Sequence, residues 1–269
     1  MIEIIVPVFN AASDLERCLE ALLQHTESDQ RVLLINDAST DPVVVPLLEE
    51  FVGQRRSAQL LHNPTNLGFI GTCNLAMSAS GHDVVLLNSD AQVTSGWLEA
   101  LRRCAASDAR IATATPFSNN AEICSIPDFC VNNPIPDNPA RWARAVSATG
   151  SRTYPELPTG VGFCLYVRRA ALDELGLFDP RYGRGYGEEN DFCRRAAAAG
   201  WRNVLCDDAY VLHAGGKSFG PLNLKPNGEN LQVLLERYPD YEQLVADFIA
   251  RDPLRPIRHS IMAKLAETH

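Results

Sequence analysis

Ile2-Glu3-Ile4-Ile5-Val6-Pro7-Val8 opens the chain, and the reading of this stretch decides the fold. A continuous, largely β-branched run of this kind is a strand buried on both faces, as strands of parallel sheets are. Ser13-x-x-Glu16 reads as a capping box, followed by apolar residues at 15, 18, 19, 22 and 23 at helical spacing. Arg31–Ile35 is a second strand, ended by the turn-rich Asn36-Asp37-Ala38-Ser39-Thr40-Asp41-Pro42. A helix near 43–52, a strand near 58–61, a helix from Gly68 to Ser78 and a strand over Asp83–Leu87 continue the alternation. Such alternation means a parallel sheet with right-handed crossovers, which binds its ligands at the carboxyl ends of the strands.

The chain has 269 residues, 46% hydrophobic and 21% charged, so disorder is excluded as a general description. The net charge of −9 repels phosphate backbones, and no long basic run offsets it, so no nucleic-acid partner is expected. No apolar stretch approaches the roughly 18 residues that cross a bilayer, and Met1–Pro7 lacks a basic n-region. A soluble, cytoplasmic protein is the expectation. Eight cysteines (18, 73, 104, 124, 130, 164, 193 and 206) include no CxxC pair and read as reduced, mostly buried thiols.

Further along, a helix near 94–106, capped by Thr94-Ser95, and a strand near 110–115 lead into the Pro- and Asn-rich stretch 116–139. Its length points to a functional loop. Val161–Val167 reads as a strand, 170–175 as a short helix, Glu188–Ala199 as a helix closed by Gly200, and Tyr210–Leu212 as a strand. From 228 onward two or three helices are expected, with proline breaks at 239, 253 and 256. The organisation is thus a domain over 1–227, with halves 1–90 and 91–227, and a helical extension over 228–269. Arg251, Arg255, Arg258 and Lys264 in that extension form either a docking face or a solvated helix face.

Several residues at strand ends carry candidate chemistry. Asp37 is either an Asx turn or a carboxylate at a nucleotide crevice, able to accept a base N–H. Asn88-Ser89-Asp90 follows the Val84–Leu87 strand, where Asp90 is placed to bind a divalent metal and, through it, a diphosphate. Gly183-Arg184-Gly185-Tyr186-Gly187-Glu188-Glu189-Asn190-Asp191 is the densest signal. Acids in a first helical turn stabilise the macrodipole, and Asp191 is spaced to pair with Arg195, but neither role needs the glycines or an exposed Tyr186. A carboxylate beside such a loop suits a general base. His213 precedes Ala214-Gly215-Gly216-Lys217-Ser218, which reads as an anion-facing loop, although a lone histidine is more often a satisfied polar residue. There is no Walker A sequence, and the 183–187 glycines do not have dinucleotide-fingerprint spacing.

Taken in order, these pieces resemble family 2 glycosyltransferases of the GT-A fold, from Ile2 to about Phe219. The matching residues are Ile5–Asn10, Ile35–Asp41, Asn66-Leu67-Gly68-Phe69, Leu87-Asn88-Ser89-Asp90 as a variant DxD, Gly160–Leu165, Gly187–Asp191 and His213. The resemblance is greatest to bacterial enzymes of surface-polysaccharide and O-antigen assembly. It implies an α/β fold with a Rossmann-like, mainly parallel sheet flanked by helices and a C-terminal helical extension. By that resemblance Pro7, Phe9, Asn10, Asp37, Asn66, Gly68, Asn74, Asn88, Ser89 and Lys217 bind the nucleotide. Asp90 and His213 bind Mn²⁺ or Mg²⁺, Glu189 is the catalytic base, and Gly162, Tyr186, Glu188 and Trp201 contact donor sugar or acceptor. Three positions depart from the family pattern: Asn88 at the first DxD position, Glu189 where Asp is common, and Cys73 where an arginine often precedes Asn74.

The implied activity is an inverting, metal-dependent sugar transfer from a UDP- or dTDP-sugar to a saccharide or lipid-linked saccharide. With an ordinary pKa of about 4.3, Glu189 would take the acceptor proton late, in concert with bond formation. A lipid-borne acceptor implies peripheral docking at the inner membrane. The C-terminal helices offer a route to self-association or to a further transferase module. Two rival classes are a nucleotidyltransferase, which would need a basic glycine loop after the first strand, and a non-catalytic nucleotide-sugar-binding module of a larger polymerase assembly.

Overall fold

In the computed structural model, residues 1–215 and 229–267 are described. The first strand, β1 (Ile2–Val8), lies at the centre of the sheet with every residue but Pro7 buried. It pairs in parallel with β2 (Val32–Asn36) and with β4 (Asp83–Leu87), and β2 pairs in parallel with β3 (Ala58–His62). Because successive side chains of a strand point to opposite faces, Ile4, Val6 and Val8 enter one core while Ile5 enters the other.

The second half completes the sheet with β5 (Ala91–Val93), β6 (Ile111–Phe117), β7 (Cys164–Val167) and β8 (Arg202–His213). The strand order is β3-β2-β1-β4-β7-β6-β8-β5. β7 runs antiparallel to β4 and β6, and β5 runs antiparallel to β8. One face is covered by α1 (Ala12–His25), α2 (Val44–Gln54), α4 (Trp97–Ser107), α5 (Pro139–Thr149) and α10 (Arg255–Glu267). The other is covered by α3 (Gly68–Ala79), α6 (Arg169–Leu175), α7 (Glu188–Ala198), α8 (Glu229–Arg237) and α9 (Tyr241–Arg251). This is the mainly parallel α/β sheet flanked by helices that the resemblance implies.

Several local expectations are corrected. Ser13 and Glu16 form no capping box: α1 starts at Ala12 behind a left-handed Ala11, whose carbonyl accepts the Asp14 and Leu15 N–H groups. Thr94-Ser95 does not cap α4 through a side chain either. Gly96 is the left-handed cap, and Thr94 Oγ1 donates instead to the Tyr210 carbonyl, tying β5 to β8. The strand expected from Val161 begins only at Cys164. The strand expected over Tyr210–Leu212 is the end of the longer β8, which starts at Arg202 and is buried from Asn203 to Leu212. Helix α5, absent from the sequence reading, starts at Pro139 with Asn138 Oδ1 accepting the Arg141 N–H. Pro256 sits inside the first turn of α10, where proline is tolerated, and so breaks nothing.

Arg258 leaves the suggested basic face. It is buried, paired with Asp252 and stacked over Phe129 at 4.4 Å. All eight cysteines are free thiols, and only Cys130 is exposed. Among the described residues no helix is long and apolar enough to cross a membrane.

Candidate active site

The carboxyl ends of β1, β2 and β4 open onto a cavity of about 1040 Å³. Pro7 and Phe9 line it, while Asn10, the next residue, turns away. Asn10 is left-handed at φ 57°, and its Oδ1 accepts the N–H groups of Thr40 and Asp41. Its role is to lock the turn after β1 to the turn after β2.

Asp37 lines the cavity but is only 3% exposed. Its Oδ1 accepts from Asn63 Nδ2 at 2.8 Å and from the Leu67 N–H at 2.7 Å, and its Oδ2 accepts from the Gly68 N–H at 2.9 Å. The carboxylate therefore holds the N-terminus of α3, satisfying donors that a helix start leaves unpaired. The turn is instead held by its neighbour, Asn36 Oδ1, which accepts the N–H of Ser39 three residues on. Asn66 and Gly68 line the same wall. Asn74 does not, which corrects its place in the expected nucleotide set: its amide pairs with both backbone groups of Phe178, at 2.8 and 3.0 Å.

Asn88, Ser89 and Asp90 line the cavity where β4 ends. The β5–β8 register sets Ala91 opposite His213, and this brings Asp90 Oδ1 to 3.4 Å from His213 Nε2. His213 Nδ1 lies 2.6 Å from the Asn120 carbonyl, which can only accept, so this nitrogen carries a proton and Nε2 faces Asp90. Phe163 stacks on the imidazole at 5.0 Å. Burial opposes the charged imidazolium, but Asp90 and the Asn120 carbonyl outweigh it and raise the His213 pKa.

This pair fits a divalent cation. It offers one carboxylate oxygen and one imidazole nitrogen whose far side is fixed by a carbonyl, the usual arrangement behind a metal-bound histidine. Among the described residues no group of three or more such side chains forms, so a cation held by this pair would need further oxygen ligands.

The third wall is the start of α7. Gly187, at φ 114°, lies so close to Tyr182 that a Cβ there would meet its ring at 2.9 Å. This tight turn sets Glu188 and Glu189 on the cavity, each with a buried Oε2 that has no hydrogen-bond partner. Burial pushes the Glu189 carboxyl up to about 7; backbone donors of the helix start pull the other way, and the charge of Glu122 adds to the rise. Burial, then the neighbouring Glu189, raises Glu188 well above the ordinary range. Glu189 is therefore a stronger base than its ordinary pKa implies. Gly162 adjoins it, with space for a Cβ 3.8 Å from the Glu189 carboxyl.

Tyr186 is half-buried rather than exposed. Burial raises its pKa, followed by the charges of Glu189, Glu188, Asp90 and Glu122. Asp191 is structural, as its spacing predicts: it pairs with Arg195 at 2.8 Å and also with Arg237 of α8. Trp201 is corrected away from the site. It lies beyond the far end of α7, packs on the second core, and donates its indole N–H to Glu174. Lys217 lies outside the described residues.

Sequence reading missed four contributors. Glu122 and Asn120 come from the long stretch before α5, Arg184 from the glycine loop, and Tyr241 from α9. Glu122 is exposed to the cavity, yet the surrounding protein still raises its pKa. Only the length of the 116–139 stretch and the glycines around Arg184 signalled them in advance.

Residues 3–176 match the model of the family described as glycosyl transferase family 2. The chain belongs to this family. Like other family 2 members it is a glycosyltransferase. It is 28% identical over 248 residues to the N-acetylglucosaminyl-diphospho-decaprenol L-rhamnosyltransferase of Mycobacterium tuberculosis, covering 82% of this chain and 78% of that protein. Among solved structures, GalNAc-T7 with UDP, GalNAc and Mn²⁺ superposes with a TM-score of 0.67 at 15% identity. That match covers 90% of this glycosyltransferase and 50% of the GalNAc-T7 chain. S. aureus TarS 1-349 with UDP-GlcNAc gives 0.57 at 18% identity, over 99% of this chain and 88% of that one. These last two likenesses establish the fold.

Proposed function

We propose that this glycosyltransferase moves a sugar from a nucleoside-diphosphate donor, UDP- or dTDP-linked, to a saccharide hydroxyl with inversion. The observation that carries the reading is Glu189, a carboxylate with an unpartnered oxygen and a pKa near 7, in the same cavity as the Asp90–His213 pair. Glu189 accepts the proton of the acceptor hydroxyl as that oxygen bonds to the anomeric carbon and the bond to the diphosphate breaks. Pro7, Phe9, Asn66, Gly68, Asn88 and Ser89 surround the nucleotide; Gly162, Tyr186 and Glu188 face the sugars.

Asp90 and His213 would hold Mn²⁺ or Mg²⁺, whose charge offsets that of the departing diphosphate. The structure of GalNAc-T7 holds Mn²⁺, which supports this assignment. The acceptor is a free or lipid-linked saccharide of bacterial surface-polysaccharide assembly. Support comes from the rhamnosyltransferase relative, named for a decaprenol-linked acceptor, and from the apolar wall that Val245, Ala246 and Ile249 of α9 give the cavity. Such an acceptor places the enzyme at the cytoplasmic side of a membrane, docked peripherally.

The test is Glu189→Gln. Nucleoside diphosphate binding should stay within about twofold of wild type, while turnover of the donor falls by roughly 10²-fold or more. Wild-type turnover in this variant would remove Glu189 from the chemistry.

A further inference from the structure

The nucleoside end of the cavity carries a cation that the family motifs do not include. Arg184 is the single arginine or lysine among the described residues lining the cavity. It is exposed, and its Nη1 donates to Asn66 Oδ1 at 3.0 Å. Asn66 Nδ2 in turn donates to the Asp37 carbonyl at 3.1 Å, so a single amide spans the distance between the guanidinium and Asp37. The stem of Arg184 lies over the start of α3, where a Cβ on Gly68 would meet Arg184 Cα and Cγ at 3.4 Å. Gly183 and Gly185 on either side have φ of 61° and 137°, which lets the loop turn this side chain inward.

Two complementary groups therefore face the same part of the cavity. The Asp37 carboxylate has about four lone-pair sites and spends three on protein N–H groups, leaving Oδ2 room for one more donor. Arg184 spends one N–H on Asn66 and keeps the rest of its fork. An acceptor beside a donor fork matches a base edge in which a ring N–H adjoins a carbonyl. Uracil and thymine have that edge at N3–H and O4, and guanine has it at N1–H and O6. Cytosine and adenine reverse it, with a bare ring nitrogen beside an amino group.

We propose that Arg184 is a specificity-determining residue that donates to the carbonyl of the donor nucleobase, next to the N–H taken by Asp37. The inference rests on the nucleotide-sugar reading above and extends it to the choice of base. A site built around such hydrogen bonds rejects a ligand that leaves them unpaired.

The experiment is titration calorimetry of the full chain with UDP, dTDP, GDP and CDP in one MgCl₂ buffer, for wild type and for Arg184→Met. Wild type should bind UDP about tenfold or more tightly than CDP. Arg184→Met keeps the stem and removes the donors, so the ratio should fall toward unity through weaker UDP binding. The exposed position means that the melting temperature should stay close to wild type. An unchanged ratio, or equal weakening of UDP and CDP, overturns the proposal, since the guanidinium would then meet the phosphates that both ligands share. If wild type binds none of UDP, dTDP and GDP, the donor-site reading itself fails, and that result is independent of Arg184.

Discussion

Asp90 Oδ1 and His213 Nε2 face each other at 3.4 Å because β5 runs antiparallel to β8 and sets Ala91 opposite His213. The Asn120 carbonyl holds the other imidazole nitrogen, and the Phe163 ring covers its face. As the proposed cation ligands, two side chains fixed by a sheet register would need little rearrangement to bind a cation together with an incoming diphosphate.

Asp90→Asn and His213→Gln should therefore abolish most of the divalent-cation dependence of nucleotide binding while leaving the fold intact. Melting curves with UDP, with and without Mn²⁺, report it. A variant that keeps the full Mn²⁺-dependent shift would take that residue out of the cation site.

The pH dependence follows from Glu189. A general base must be ionised, so kcat/KM should rise with pH and level off above about 7. The charge on Glu122 contributes to the raised value, and Glu122→Gln should move that limb to lower pH. A limb that stays in place, or moves to higher pH, would contradict the coupling across the cavity.

Glu188 makes a separate claim about stability. Burial and the adjacent Glu189 hold its folded pKa well above the unfolded value of about 4.3. The folded state then binds more protons, so this contribution is fully present below the unfolded pKa and lost as pH rises through the folded one. Glu188→Gln should melt higher than wild type at pH 8, and the gap should close toward pH 4. An equal gap at both values would deny the raised pKa.

Asn74 separates structural from ligand-binding roles. Its amide makes two hydrogen bonds to Phe178 and does not line the cavity. Asn74→Ala should cost about 1–3 kcal/mol of stability, read from denaturant unfolding, with UDP affinity unchanged. A loss of affinity without a loss of stability would restore it to the nucleotide site.

Much of this arrangement is legible in the sequence because short-range pattern determines it. The buried run Ile2–Val8, the alternation through Leu87 and the acid-rich start of α7 all use local periodicity, and each is found near its expected bounds. Asp90, His213 and Glu189 could be named because motif order along the chain stands in for their meeting in space. What failed depends on distant partners. Thr94 resembles a helix cap, but β8 supplies it with a carbonyl. Trp201 offers an aromatic face, but a helix of 11 residues separates it from the acids at the other end of α7. Glu122 reaches the cavity from a 3-10 turn inside a stretch with no periodicity to read.

The most direct test of the account is a thermal-shift panel of UDP, dTDP, GDP and CMP, each with Mn²⁺, Mg²⁺ or EDTA. A ligand at 100 times its Kd stabilises by about 2.7 kcal/mol, which a melting curve resolves. The account predicts a clear shift with UDP or dTDP that needs the divalent cation and collapses in EDTA. No shift with any of the nucleotides would contradict it, leaving a cavity whose carboxylates serve some ligand other than a nucleotide sugar.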